Sequence, residues 1–163
     1  MRFKLECISA ASHGGVGMVK IKLLTIYLLT VIAAGCAGNG GVQNDGVHKV
    51  VIQVSTDDPR TQTIALNNAV NLQKALGPAN VKVEVVAYGP GLTLFTKNGR
   101  QSKRIQGLVM YDEFRFSACG NTMDTIKRKQ GKSPVLVDGV QVVPAGVQRI
   151  MELQEQGYAY IRP

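Results

Sequence analysis

The residues with the clearest chemical potential lie in the stretch Phe114-Arg-Phe-Ser-Ala-Cys-Gly-Asn-Thr-Met123, where one thiol stands at a change of pattern. Residues 113–118 read as a buried strand and residues 121–129 as a helix, with Cys119 at their junction. At the carboxyl end of a strand in an open α/β sheet, the N–H groups of the next helix favour negative charge, so a thiol there is inclined to ionise. Gly120, Asn121 and Thr122 are small enough to leave the sulfur accessible, and Arg115 or the basic cluster beyond it would add positive potential. Such a thiolate can attack sulfur, hold a sulfane sulfur as a persulfide, or exchange with disulfides. The plain alternative is an inert buried cysteine, the commoner fate of a lone thiol.

Other chemistries find less support. Cys7, Cys36 and Cys119 are the three cysteines, and no two have metal-ligand spacing, so no metal is expected. A Cys-x-x-Cys pair is absent, which argues against a self-contained dithiol oxidoreductase. His13 and His48 lie far from Cys119 in sequence and suggest no Cys-His nucleophile pair. No cofactor is implied.

The formal charge of +8 invites a nucleic-acid partner, yet part of it belongs to Arg2, Lys4, Lys20 and Lys22 near the N-terminus. Aromatic residues are few and do not interleave with basic ones, so no nucleic-acid platform is expected. Two dense basic clusters remain, Lys97-Arg100-Lys103-Arg104 and Lys127-Arg128-Lys129-Lys132. Each reads as a solvated helix face, with an anion-attracting rim as the sharper alternative.

Positioning Cys119 requires the elements around it. Residues 49–55 form a nearly continuous apolar, β-branched run, as in a strand buried on both faces. Thr56-Asp57-Asp58-Pro59 breaks it and supplies capping side chains for a helix over 61–76, which Gly77-Pro78 ends. Asn67, Asn68 and Asn71 are poor helix formers on it; Asn68 and Asn71 share a face and could reach a loop or subunit, or be simply exposed. Residues 81–87 give a second strand, Tyr88-Gly89-Pro90-Gly91 a tight loop at its carboxyl end, and residues 92–95 and 103–110 short helical pieces. Residues 135–137 and 140–143 flank Asp138-Gly139, either as a hairpin or with the second run as a fourth parallel strand. A helix from Pro144-Ala145 and a short strand over 158–161 close the chain. This alternation predicts an α/β fold with a mainly parallel sheet covered on both faces.

The N-terminus reads as an export signal. Residues 23–34 are an apolar run of signal-peptide length behind Lys20 and Lys22, and Met18 makes a better start than Met1. Ala33-Ala34-Gly35-Cys36 resembles a lipobox, which implies lipid attachment at Cys36, a membrane anchor, and a Gly-rich tether over 36–47. Cleavage near Ala37 to a soluble periplasmic protein, or an uncleaved anchor, are the other outcomes. The organisation expected is a signal region over 1–35, the tether, and one domain over 48–163.

Four segments in order, Val83-Glu-Val-Val-Ala-Tyr-Gly-Pro-Gly91, Phe116-Ser-Ala-Cys-Gly-Asn-Thr-Met123, Val142-Val-Pro-Ala-Gly-Val147 and Glu152-Leu-Gln-Glu-Gln-Gly-Tyr-Ala-Tyr-Ile-Arg-Pro163, resemble the DsrE/DsrF-like family of small sulfur-metabolism proteins, in particular its exported branch. The resemblance implies a three-layer α/β/α sandwich with a five-stranded sheet, homo-oligomers that are commonly trimers or hexamers, and a persulfide-carrying cysteine at the position of Cys119. It also implies a sulfur-donor or acceptor protein as partner. On this basis Gly120, Asn121 and Thr122 are expected to shape an anion site that Tyr88, Gly89 and Gly91 line. A non-catalytic oligomeric envelope protein binding a small ligand or a partner is the second hypothesis. A flavodoxin-like nucleotide binder ranks last, because Ser55-Thr-Asp-Asp-Pro59 puts acidic residues where phosphate needs a Gly-rich, N–H-lined loop.

Overall fold

The computed structural model describes residues 46–163. The expected export signal, the lipobox at Cys36 and most of the tether therefore lie outside the described residues. Five strands, β1 (His48–Val54), β2 (Val81–Ala87), β3 (Phe114–Cys119), β4 (Gln141–Val143) and β5 (Ala159–Ile161), form one sheet in the order β4-β3-β2-β1-β5. Every pairing is parallel. Four α-helices connect them: α1 (Pro59–Leu76), α2 (Ser102–Leu108), α3 (Gly120–Gln130) and α4 (Gly146–Glu155), with 3-10 turns at Pro78–Asn80 and Gly89–Phe95.

Local chemistry explains the element ends. The Asp58 carboxylate caps α1 by accepting from the Thr61 N–H at 2.7 Å, and Pro59 occupies the first turn, where its missing N–H costs nothing. Hydrogen bonding to Thr61 holds the Asp58 carboxyl below its usual pKa. The Asp138-Gly139 pair does form a turn, Val140 N–H donating to Val137 O at 3.2 Å, but the strand after it joins β3 in parallel register. The hairpin alternative is thereby set aside. Of the three asparagines, Asn67 makes a side-chain bridge from α1, accepting from Arg104 of α2 at 2.9 Å.

The strand order decides which face each helix covers. From β1 to β4 the chain steps steadily in one direction, so right-handed crossovers put α1, α2 and α3 on one face. The step from β4 back past β1 to β5 runs the other way and carries α4 to the opposite face. Alternation along the strands follows this division: Val50, Ile52 and Val54 join the large core under the first three helices, whereas Val51 and Val86 pack with Ile150 and Leu153 of α4. The result is the expected three-layer sandwich, with one helix as its third layer.

A buried ion pair fastens that helix. Glu84 is 1% exposed on β2 and takes a bidentate pair from Arg149 of α4, with both N···O distances 2.8 Å. Ser117 of β3 donates to the same carboxylate at 2.6 Å. Every oxygen is satisfied, so the buried charge is tolerated, but removing one partner is expensive. Arg149→Ala strands the Glu84 charge and is expected to destabilise by about 3–5 kcal/mol in urea unfolding. Glu84→Gln keeps one oxygen to accept from Ser117 and Arg149 Nε but sets its NH2 against Arg149 Nη2; because the guanidinium is partly exposed and lies beside Glu152, the cost should be smaller than that of the stranded carboxylate. Equal losses for the two variants would contradict this account of the joint.

Close approach of chain to chain fixes a second point. A Cβ on Gly91 would stand 2.2 Å from Val54 O, so only glycine lets the 3-10 turn lie against the end of β1. Gly91→Ala is expected to lower stability by about 1–3 kcal/mol or more, read from the thermal midpoint. An unchanged midpoint would show that the turn can lift off β1 freely.

Candidate functional site

β3 and β4 are neighbours whose outgoing connections leave for opposite faces, α3 to one side and α4 to the other. A crevice opens between the carboxyl ends of such a pair, and it is the general ligand-binding position of open α/β sheets. Cys119, the last residue of β3, stands there. No loop separates it from α3, since Gly120 is already the first helical residue. The N-terminus of α4 reaches the sulfur from the far side of the crevice.

The thiol is buried, with 6% of its surface exposed, and forms no disulfide. Burial pushes its pKa up; hydrogen bonds from the Thr122 hydroxyl and from the N–H groups of Gly146, Thr122 and Asn121 more than reverse this, leaving it below the ordinary value. The Thr122 hydroxyl accepts from Gly89 N–H at 2.9 Å, which leaves its own proton free to point at the sulfur. Asn121 N–H also donates to Pro144 O at 3.2 Å, tying the start of α3 to the β4–α4 connection. Donors from two helix N-termini thus converge on one sulfur, where both macrodipoles favour the anion.

Two glycines make this convergence possible. A Cβ on Gly146 would lie 3.2 Å from the Cβ atoms of both Cys119 and Tyr88, so a side chain there would press α4 away from the sulfur. On Gly120 it would lie 3.2 Å from Val143 O and 3.3 Å from Pro144 O. Of the residues expected at the site, Cys119, Gly120, Asn121, Thr122 and Gly89 come together around the crevice, and Tyr88 forms a wall against Gly146. Gly91 instead packs on the β1 backbone.

Arg115 is not a neighbour of the sulfur. It lies four residues earlier on β3, roughly 13 Å away at the strand rise, beside Lys82, Asp112 and Glu113. The Lys127-Arg128-Lys129 cluster sits in the last turn of α3, and Lys97 of the other cluster pairs with Asp138 at 3.0 Å. Oriented N–H groups, rather than basic side chains, therefore supply the local potential. Among the described residues no cluster of three or more metal-ligating side chains occurs.

Gly146 is the residue that reading the sequence for chemistry missed. A glycine directly after Pro144-Ala145 at a helix start was the available signal, but nothing in the pattern brought it to Cys119. Gln62 was missed as well. Its buried amide donates to Thr56 O at 3.1 Å and to the Thr93 hydroxyl at 2.9 Å, holding the 3-10 turn beside the site.

The fold is a parallel α/β sandwich with Cys119, the one cysteine among the described residues, at its switch point. The chain belongs to the DsrE/DsrF-like family, whose family model matches residues 48–163. At the level of the family this makes it a sulfur-relay-type protein. Among solved structures it is similar to MTH1491 from Methanobacterium thermoautotrophicum, described as a protein of unknown function. The two are 34% identical with a TM-score of 0.63, over 71% of this chain and 99% of that one. No curated protein matches the chain.

Because the thiol pKa is lowered, the thiolate fraction near neutral pH should exceed that of a free cysteine. The rate of alkylation, followed on the peptide bearing Cys119, is expected to have its pH midpoint below the free-thiol value of about 8.5. Thr122→Val removes a bond that lowers the pKa and should move the midpoint upward. A wild-type midpoint at or above the free value would mean that burial wins.

Proposed function

We propose that Cys119 is a sulfur carrier that cycles between thiolate and persulfide. What supports this reading is the place of Cys119, at the start of α3 and in contact with Gly146 at the start of α4, so that the Thr122 hydroxyl and the N–H groups of Gly146, Thr122 and Asn121 surround the sulfur. The thiolate attacks the outer sulfur of a sulfane-sulfur donor. A new S–S bond forms at Cys119, the donor's S–S bond breaks, and the donor leaves with the electron pair as an anion. A second nucleophile later takes the terminal sulfur and restores the thiolate. The cradle that stabilises the anion before the step serves equally when it leaves.

The same proposal includes export and lipid attachment at Cys36, supported by the apolar run over 23–34 and the small residues before that cysteine. Among the described residues no helix is long and apolar enough to cross a membrane. It also includes a homo-oligomer, trimer or hexamer. Supporting this, α4 leaves apolar surface at Val147 and Met151, each more than half exposed, on the thinner face of the sandwich. A partner protein would donate or accept the sulfur.

Incubation of the purified protein with a sulfane-sulfur donor, followed by mass measurement of the Cys119 peptide, tests the carrier role. One added sulfur is expected on the wild type, lost on reduction, with none at this position in Cys119→Ser. Absence of the gain on wild-type protein would rule out carriage and favour a non-catalytic binding protein.

A further inference from the structure

A cleft of about 300 Å³ lies between the 3-10 turn at Gly89–Phe95 and α3, reaching the Gly89–Thr122 hydrogen bond that borders the sulfur. It exists because α3 packs loosely: none of its residues is fully buried, and only Met123 and Ile126 reach toward the core. Pro90, Leu92 and Ile126 give it an apolar floor. Gly89 and Thr122 close one end, and Lys129 stands at the other. Thr122 and Lys129 share one stripe of α3, roughly 10 Å apart at the helical rise.

We infer that this cleft binds a small organic molecule with an aliphatic body and a single anionic group, and that such molecules are the donors or acceptors of the Cys119 sulfur. The second half rests on the carrier role proposed above. Three observations select this ligand class. The volume lies at the lower end of the roughly 300–1,000 Å³ of small-molecule sites, far more than a small inorganic anion fills. The lining is apolar with threonine hydroxyls at its rim. Lys129 is the only charged lining residue and makes no ion pair among the described residues, so it favours an anion at the end away from the thiolate.

The geometry also orients the ligand. With its anionic group at Lys129 and its chain over Leu92 and Ile126, the other end meets Thr122 and Gly89, the pair hydrogen-bonded next to the sulfur. For an organic hydropersulfide, R–S–SH, rotation of the Thr122 hydroxyl off Cys119 exposes the thiolate to the outer sulfur. The Cys119–S bond forms as the R–S–S bond breaks, the proton stays on the transferred sulfur, and R–S⁻ leaves with the electron pair.

Titration calorimetry of the full chain with octanoate, which carries no sulfur, tests binding apart from transfer. Octanoate is expected to bind, Lys129→Glu to weaken binding by about five-fold or more, and Thr125→Phe, at a residue that lines the cleft from α3, to abolish it. A parallel measurement follows sulfur loading of the Cys119 peptide from the ω-hydropersulfide of octanoate and from thiosulfate. Thr125→Phe should slow loading from the organic donor at least ten-fold more than loading from thiosulfate. Failure of octanoate to bind, or equal binding by wild type and both variants, overturns the cleft assignment. Octanoate binding with no loading from either donor would uphold the cleft and overturn the carrier role instead.

Discussion

The Glu84–Arg149 ion pair is the joint on which the site depends. One helix covers the second face of the sheet, and besides the apolar packing of Ile150 and Leu153 it is held by this bidentate contact at 2.8 Å. A pair whose carboxylate is fully buried contributes direction more than net stability, because desolvation offsets much of the attraction. What it fixes is the azimuth and height of α4. With Arg149 locked three residues into the helix, Gly146 has one place to be, against Cys119 and Tyr88. Hydrophobic contact alone would let α4 slide; a forked guanidinium on a carboxylate does not.

The sulfur's environment is a balance of opposing terms. Burial at a strand end favours the neutral thiol, and for a cysteine lacking hydrogen bonds it would win. Here donors from α3 and α4 outweigh it. No lysine or arginine contributes, so the field at the sulfur is set by N–H groups and one hydroxyl alone. A fixed cation at contact distance would hold the anion firmly, whereas N–H groups and a rotatable hydroxyl can adapt to what the sulfur carries, as the proposed carrier role requires.

Much of this was legible before the fold was known, because it is local. The β-branched runs specified strands, Asp58-Pro59 and Gly77-Pro78 bracketed α1, and the pattern change at Cys119 put a thiol at a strand-to-helix junction. What failed was distance through space. Arg115 looked like a neighbour of Cys119 from its place in the chain, yet an extended strand carries it away at more than 3 Å per residue. The 127–129 basic cluster is likewise removed to the other end of α3. The glycines after Tyr88 looked alike, but Gly89 faces Thr122 and Gly91 faces the β1 carbonyl.

The sequence by itself determined that a lone cysteine would end a buried strand and begin a helix, since both follow from side-chain pattern within a few residues. It could not determine strand order, which depends on how distant segments pair. Only the order β4-β3-β2-β1-β5 makes β3 and β4 the pair whose helices part to opposite faces. That parting opens the crevice and turns the start of α4 toward the sulfur, so a glycine from a distant segment completes the cradle. The thiol was a property of the chain, whereas the Gly146 N–H that completes its hydrogen bonding is a property of the sheet, because parallel neighbours bring their carboxyl ends, and the helices leaving them, to the same edge.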